Sequence, residues 1–182
     1  NNGPLGLLLN RHKTVAWTAG TTPVQVPEAL VFVQGIDYQV TYSITLQSQS
    51  TIPAISHTTP KATDANNQLD TSAVVSDLYD QLVAAYPIGV GAFEFRKGVN
   101  VIYIKRLDSQ PFTISVSDGR SGTLARAVYA SVSAFSLLPT EAVPGFRVKI
   151  DTDPSNELDN YYVEFVGTSR SEEHTSELQS PY

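Results

Sequence analysis

Between residues 38 and 47 apolar and polar side chains alternate without a break. Tyr38, Val40, Tyr42, Ile44 and Leu46 fall on one side, and Gln39, Thr41, Ser43, Thr45 and Gln47 on the other. A period of two matches the pleat of a strand with one dry and one wet face, and a helix cannot gather those five apolar residues on one stripe. The chain must therefore build a sheet and find something to cover it. Other segments repeat the pattern. Phe112, Ile114 and Val116 alternate with Thr113, Ser115 and Ser117 before the turn signal Asp118-Gly119. Residues 93–95 and 101–105 flank Arg96, Lys97 and Gly98 as a hairpin, and Phe146, Val148 and Ile150 pair with Tyr161, Val163 and Phe165 around a polar loop at 151–160. Residues 29–33 read as the hairpin partner of the 38–47 strand, with 35–37 as the turn. Residues 5–9 and 12–17 read as a further hairpin around Asn10 and Arg11.

One segment has a different period. Residues 71–86 carry Val75, Leu78, Leu82 and Ala85 on one helical face, with Asp77, Asp80 and Gln81 on the wet side. Asp70 or Thr71 supplies an N-cap oxygen and Pro87 ends the helix. Residues 58–69 are polar, with Pro60 and Asn66-Asn67, and read as a loop. Residues 124–138 fit helix or strand; a short helical turn followed by an extended segment is the favoured reading. The fold class is α+β and β-dominated, with antiparallel hairpins packed on one amphipathic helix at about 71–86.

Composition narrows the chemistry. The 182 residues carry 12 basic and 18 acidic side chains, a formal net charge of −6, which argues against a generally basic nucleic-acid-binding surface. The absence of cysteine excludes disulfides, iron–sulfur clusters, thiolate zinc sites and cysteine nucleophiles. No apolar run approaches the length needed to cross a bilayer and no signal-peptide pattern opens the chain, so a soluble, unexported protein is expected. No methionine occurs, so Asn1 is expected to be internal to a longer reading frame. From Arg170 the sequence RSEEHTSELQS is polar throughout and reads as a translated sequencing adapter. The expected division is a hairpin at 1–20 from a preceding β-rich domain, an α+β module at 27–167, and a non-native scar or disordered tail at 170–182.

Motifs that imitate catalytic signatures fail on spacing. Gly119-Arg120-Ser121-Gly122 misses the nucleophile elbow by one residue, and neither His12 nor His57 is spaced to serve a serine. Gly89-Val90-Gly91 follows the helix instead of opening one, so it is no dinucleotide fingerprint. Asp151, Asp153 and Ser155 begin like a calcium loop, but Asn156 replaces the required glycine and Tyr162 the bidentate glutamate. Residues 118–121 could offer backbone N–H groups to an anion, though such turns are common. No catalytic, cofactor or metal residues are therefore assigned. Arg96, Lys97, Lys105, Arg106, Arg120 and Arg126 face only Asp108 and Asp118 in the window 96–126. That local excess nominates Arg96, Lys97, Lys105 and Arg106 as a subunit contact, against the alternative of solvated hairpin ends.

The succession LLLNRHKTVA, a hairpin, the helix, the basic hairpin, a strand ending in SDG, then SAFSLLPTEAVPGFRVKI and NYYVEFV resembles the tail tubular protein B family, the nozzle proteins of short-tailed bacteriophages. The most specific stretch is 135–150, with a Phe-Ser-x-Leu-Pro turn, a Gly-aromatic pair and a Val-Lys strand. Tyr161-Tyr162-Val163 matches the next strand, and 8–15 matches less specifically. The resemblance spans about 5–167 and corresponds to part of the first half of a much longer protein. It implies a noncatalytic virion component with no cofactor, a homohexameric ring beneath the portal and its adaptor, in contact with tail fibres. It further implies a lumen that passes DNA without specific binding, assembly in the host cytoplasm and no membrane partner. Nine tyrosines, Trp17 and Ser/Thr-rich strands leave a second reading, a β-rich carbohydrate-binding or adhesion module. That reading requires Tyr38, Tyr42 and Tyr103 to line an open groove. For the tail, removal of the residues after Ser169 is expected to leave the melting temperature unchanged in a thermal scan, and a drop of several degrees would show that it belongs to the fold.

Overall fold

A computed structural model describes residues 27–47, 55–86, 92–153, 155 and 161–165. Ten strands and one α-helix follow one another as β1 (Glu28–Val33), β2 (Thr41–Gln47), β3 (Ile55–Thr58), α1 (Thr71–Ala85), β4 (Phe93–Lys97), β5 (Val101–Arg106), β6 (Thr113–Ser117), β7 (Ala125–Tyr129), β8 (Ser131–Val132), a 3-10 turn (Phe135–Leu137), β9 (Arg147–Ile150) and β10 (Tyr161–Glu164). They form a seven-stranded sheet in the order β10-β9-β8-β7-β1-β5-β4 and a three-stranded sheet in the order β3-β2-β6. Every described pairing is antiparallel except β8 with β9. The β-dominated α+β class expected from the pattern is the one observed.

β1 explains the division into two sheets. Its sequence EALVFV is a continuous apolar run, and five of its six residues are buried. Ala29, Val31 and Val33 enter a core shared with α1 and β2, while Leu30 and Phe32 enter a second core with Phe146, Val148 and Val163. A strand covered on both faces has no polar side to display, so its sequence cannot alternate. β2 does alternate, burying Tyr42, Ile44 and Leu46 and turning its polar residues outward. The two strands expected to form a hairpin are therefore in different sheets. β1 pairs with β5 and β7, and β2 pairs with β3 and β6. The short 34–40 link carries the chain from one layer to the other, and the Tyr42 hydroxyl donates to the Gly35 carbonyl across it at 3.1 Å.

The helix begins where its cap is. Asp70 Oδ1 accepts from the Ser72 N–H and hydroxyl, both at 2.8 Å, and these bonds hold its carboxyl below the usual carboxylate range. Val74, Val75, Leu78 and Leu82 are buried. Ala85 is exposed, contrary to the stripe read from the sequence, because Tyr86 turns inward at that end and packs edge-on against Phe93 with ring centroids 5.2 Å apart. Residues 59–69 are the polar loop expected, but 55–58 form β3, a strand the alternation did not announce.

Residues 124–138 reverse the sequence-based order. The extended part comes first, as β7 and β8, and the helical turn, a 3-10 turn, comes last. Ala-rich composition favours helix locally, but β7 closes the free side of β1 through the register Ala29↔Tyr129 to Val33↔Ala125, and tertiary pairing outweighs propensity. The chain then reverses at Ala130, whose φ of 63° lies in the left-handed region. The β9–β10 hairpin expected around the polar loop is present, with Val163 opposite Val148. The hairpin expected at 5–9 with 12–17, and the Gly89-Val90-Gly91 segment, lie outside the described residues.

Leu78 is 1% exposed within the core between sheets and helix. Leu78→Ala should therefore destabilise the chain by about 2–5 kcal/mol in chemical denaturation, and a change within error would show that the helix does not pack as described.

Candidate functional site

The β4–β5 hairpin carries the four basic residues singled out by sequence, and the sheet separates them. Arg96 and Lys97 are successive strand residues and therefore point to opposite faces. Arg96 Nε donates to Glu94 Oε1 at 2.7 Å, and its guanidinium sits 5.2 Å from the centre of the Tyr103 ring. Lys97 turns to the helix side, where its ammonium donates to Ser76 Oγ at 3.2 Å and lies 5.2 Å from the Tyr79 ring centre. Lys105 stands between Glu28 of β1 and Glu94 of β4 in register. Arg106 points inward: its side chain is 7% exposed. It reaches both carboxylate oxygens of Asp108 at 2.6 and 2.9 Å and the Pro111 carbonyl at 2.7 Å. That paired guanidinium in turn holds the Asp108 carboxyl below its ordinary range. Arg96, Lys97 and Lys105 remain on the surface, and Arg106 is part of the interior.

The window sum of charges misses these pairings because most of the acids lie outside it. Glu94 is two residues upstream of Arg96, Glu28 is brought in by the β1–β5 register, and Asp37 accepts from Arg120 Nη2 at 3.1 Å. Only strand register reveals Glu28, and no local signal could have found it.

The 118–122 turn is occupied from within. Asp118, 1% exposed, accepts backbone N–H bonds from Arg120 at 2.7 Å, Gly122 at 3.0 Å, Leu124 at 2.6 Å and Ala125 at 3.0 Å. Burial alone would raise this carboxyl, but the four donors outweigh it and lower the pKa to about 2. Ser121 and the glycines Gly119 and Gly122 take left-handed φ values of 59°, 63° and 75° to aim the N–H groups inward. The anion these amides could have held is the chain's own carboxylate.

His57 Nδ1 and Asp77 Oδ2 are 2.7 Å apart across β3 and α1. Asp153 accepts from the N–H and hydroxyl of Ser155 at 2.9 and 2.6 Å, closing a local turn. Among the described residues no group of three or more His, Cys, Asp or Glu side chains could hold a metal ion. Tyr42 and Tyr103 are 1% and 4% exposed, and Tyr38 is half-buried, so these three form no open aromatic platform. The Tyr103 hydroxyl donates to Glu28 Oε2 at 2.6 Å. An open cleft of about 410 Å³ lies where residues 136–141 pass the start of α1 and the tip of the β4–β5 hairpin. The Phe-Ser-x-Leu-Pro turn forms one wall, leaving Phe135 and Leu137 exposed.

The Asp118 turn predicts a pH dependence. Its carboxyl is depressed from an unfolded value of about 3.9, so its contribution is complete above that pH and is lost as pH falls towards 2. Asp118→Ala should lower stability by at least about 2 kcal/mol at pH 7, because it leaves buried donors unpaired. The gap from the unmodified chain, measured by denaturant unfolding, should narrow in acid; a gap that is constant from pH 7 to pH 2 would contradict the role given to the ionised form.

Comparison with known sequences gives no match among curated proteins. A family model described as bacteriophage nozzle protein matches residues 6–178, nearly the whole chain and beyond Arg170.

Proposed function

The chain belongs to the bacteriophage nozzle protein family, and from that premise we propose that it forms part of a noncatalytic ring through which phage DNA leaves the virion. Its place as a structural component of a phage tail nozzle follows from the family. The finer reading is a homohexamer of the tail tubular protein B type, docked on a tail adaptor, bearing tail fibres and assembled in the host cytoplasm. The family match over 6–178 is the observation that carries it. The structure's own support is architectural: the described residues build two sheets and a helix whose surface charges are in good part paired. Among the described residues no helix is long and apolar enough to cross a membrane. The burial of Tyr42 and Tyr103 leaves the carbohydrate-binding alternative without its required groove.

DNA would pass such a lumen without specific binding. A chain of net charge −6, in which Arg96, Arg106, Arg120 and Arg147 are matched by neighbouring carboxylates, offers little to hold a phosphate backbone. Arg96, Lys97 and Lys105 are the proposed subunit contact, with Arg106 stabilising the strand end beneath them. In this reading residues 1–20 belong to a preceding β-rich domain, 27–167 to the module proper and 170–182 to a non-native scar or disordered tail.

The full-length parent expressed with its adaptor should give rings by mass photometry and negative-stain imaging; a persistent monomer that never joins the adaptor would overturn the assignment. Reversing the charges of Arg96, Lys97 and Lys105 should weaken ring formation, more strongly at low salt, and leave the protomer folded. Unchanged assembly would return these residues to the role of solvated hairpin ends.

A further inference from the structure

In an antiparallel ladder, alternate residues direct their backbone groups to one neighbour, so the register states which groups of an edge strand are already bonded. At β4 the Gly98 N–H donates to the Val101 carbonyl at 2.9 Å, and the Leu107 N–H donates to the Ala92 carbonyl. Even-numbered positions therefore face β5. The N–H and C=O groups of Phe93, Phe95 and Lys97 point away from the sheet, and no described residue bonds them. At the opposite end of the same sheet, the Phe165 N–H donates to the Phe146 carbonyl at 3.0 Å, which fixes the parity of β10 and leaves the backbone of Tyr162 and Glu164 facing outward.

The smaller sheet treats its edge differently. At β3 the Ser56 N–H donates to Gln81 Oε1 at 3.3 Å, and Gln81 Nε2 donates to the Ser56 carbonyl at 3.0 Å. One amide side chain from α1 thus stands in for a neighbouring strand. β4 and β10 have no such cover among the described residues, and an uncovered edge is a template for another strand. Their formal strand charges are opposite in sign: Glu94, Arg96 and Lys97 sum to +1 on β4, and Glu164 gives −1 on β10, where it also accepts from Arg147 Nη2 at 2.8 Å.

We propose that β4 of one copy pairs through Phe93, Phe95 and Lys97 with β10 of a second copy, continuing the seven-stranded sheet from protomer to protomer. The two edges differ, so the contact is head-to-tail, and repeated it closes a ring or runs on as a filament. This rests on the reading that copies of the chain associate, and it names the strands they use. The occupant is a second copy and not a foreign strand because the complementary edge, of comparable length and opposite charge, belongs to the same sheet.

Amide hydrogen exchange followed by NMR on the 182-residue chain, with sedimentation velocity alongside, tests the contact. Raising the concentration from micromolar to millimolar should increase the sedimentation coefficient. The amides of Phe93, Phe95, Lys97, Tyr162 and Glu164 should then exchange at least about tenfold more slowly, while Glu94 and Arg96 are protected throughout. Lys97→Pro removes an outward N–H and keeps the β5 bonds, so it should abolish the association in a folded chain. Glu164→Arg should weaken association, and combining it with Arg96→Glu and Lys97→Glu should restore it, a rescue that a folding defect cannot give. A chain that stays monomeric at millimolar concentration, protection confined to β4, or association with all these amides unprotected would overturn the proposal. Rings of the full-length protein formed despite such a result would leave the nozzle reading standing, whereas a parent that never forms rings would overturn that reading itself.

Discussion

Everything in this fold is arranged around a strand buried on both faces. β1 cannot be solvated on either side, so it requires a neighbour along each edge and a layer above and below. β5 and β7 supply the edges. α1 and the β3-β2-β6 sheet cover one face, and the 142–150 segment with β10 covers the other. Burying a side chain such as Leu30 or Phe32 contributes on the order of 1.5–3 kcal/mol each, and that gain is available only once both layers have formed. The two cores are therefore coupled through one strand, and a defect in either is felt by the other.

The same feature decides how much could be read in advance. Alternating segments such as β2 and β6 declare their class and their inward residues directly, and the helix declares itself by its cap and stripe. β1 gives only a short apolar run, which is equally consistent with a hairpin arm, a central strand or a piece of buried helix. Its true partners lie about seventy and one hundred residues downstream, and no local pattern encodes that distance. Residues 124–138 depart from their local pattern for a related reason: Ala125 and Ala127 favour helix in isolation, but small side chains also suit close packing beside β1.

The candidate surface was half legible. Basic residues on a hairpin are visible in sequence, but their electrostatic meaning depends on acids delivered by register. Arg96 bonded to Glu94, and Arg106 locked to Asp108, turn part of an apparent excess of charge into short-range pairs, and register sets Lys105 between Glu28 and Glu94. Asp118 shows the same compensation within a loop, where a carboxylate fills a cradle of amides that would otherwise suit an external anion.

The two-residue strand β8 has a mechanical meaning. It joins β7 to β9, and its ladder to β9 rests on few backbone bonds, among them Lys149 N–H to the Ala130 carbonyl at 3.2 Å and Asp151 N–H to the Val132 carbonyl at 2.8 Å. Tension drawn across a sheet passes through its ladders in series, and a series chain yields at its weakest link. β1, β5 and β7 share longer ladders, so the backbone contributes least across β8. The β9–β10 hairpin is thus held to β7 by few backbone bonds and to β1 by side chains, with Phe146, Val148 and Val163 packed beside Leu30 and Phe32, so a load on this hairpin reaches the buried strand through the second core.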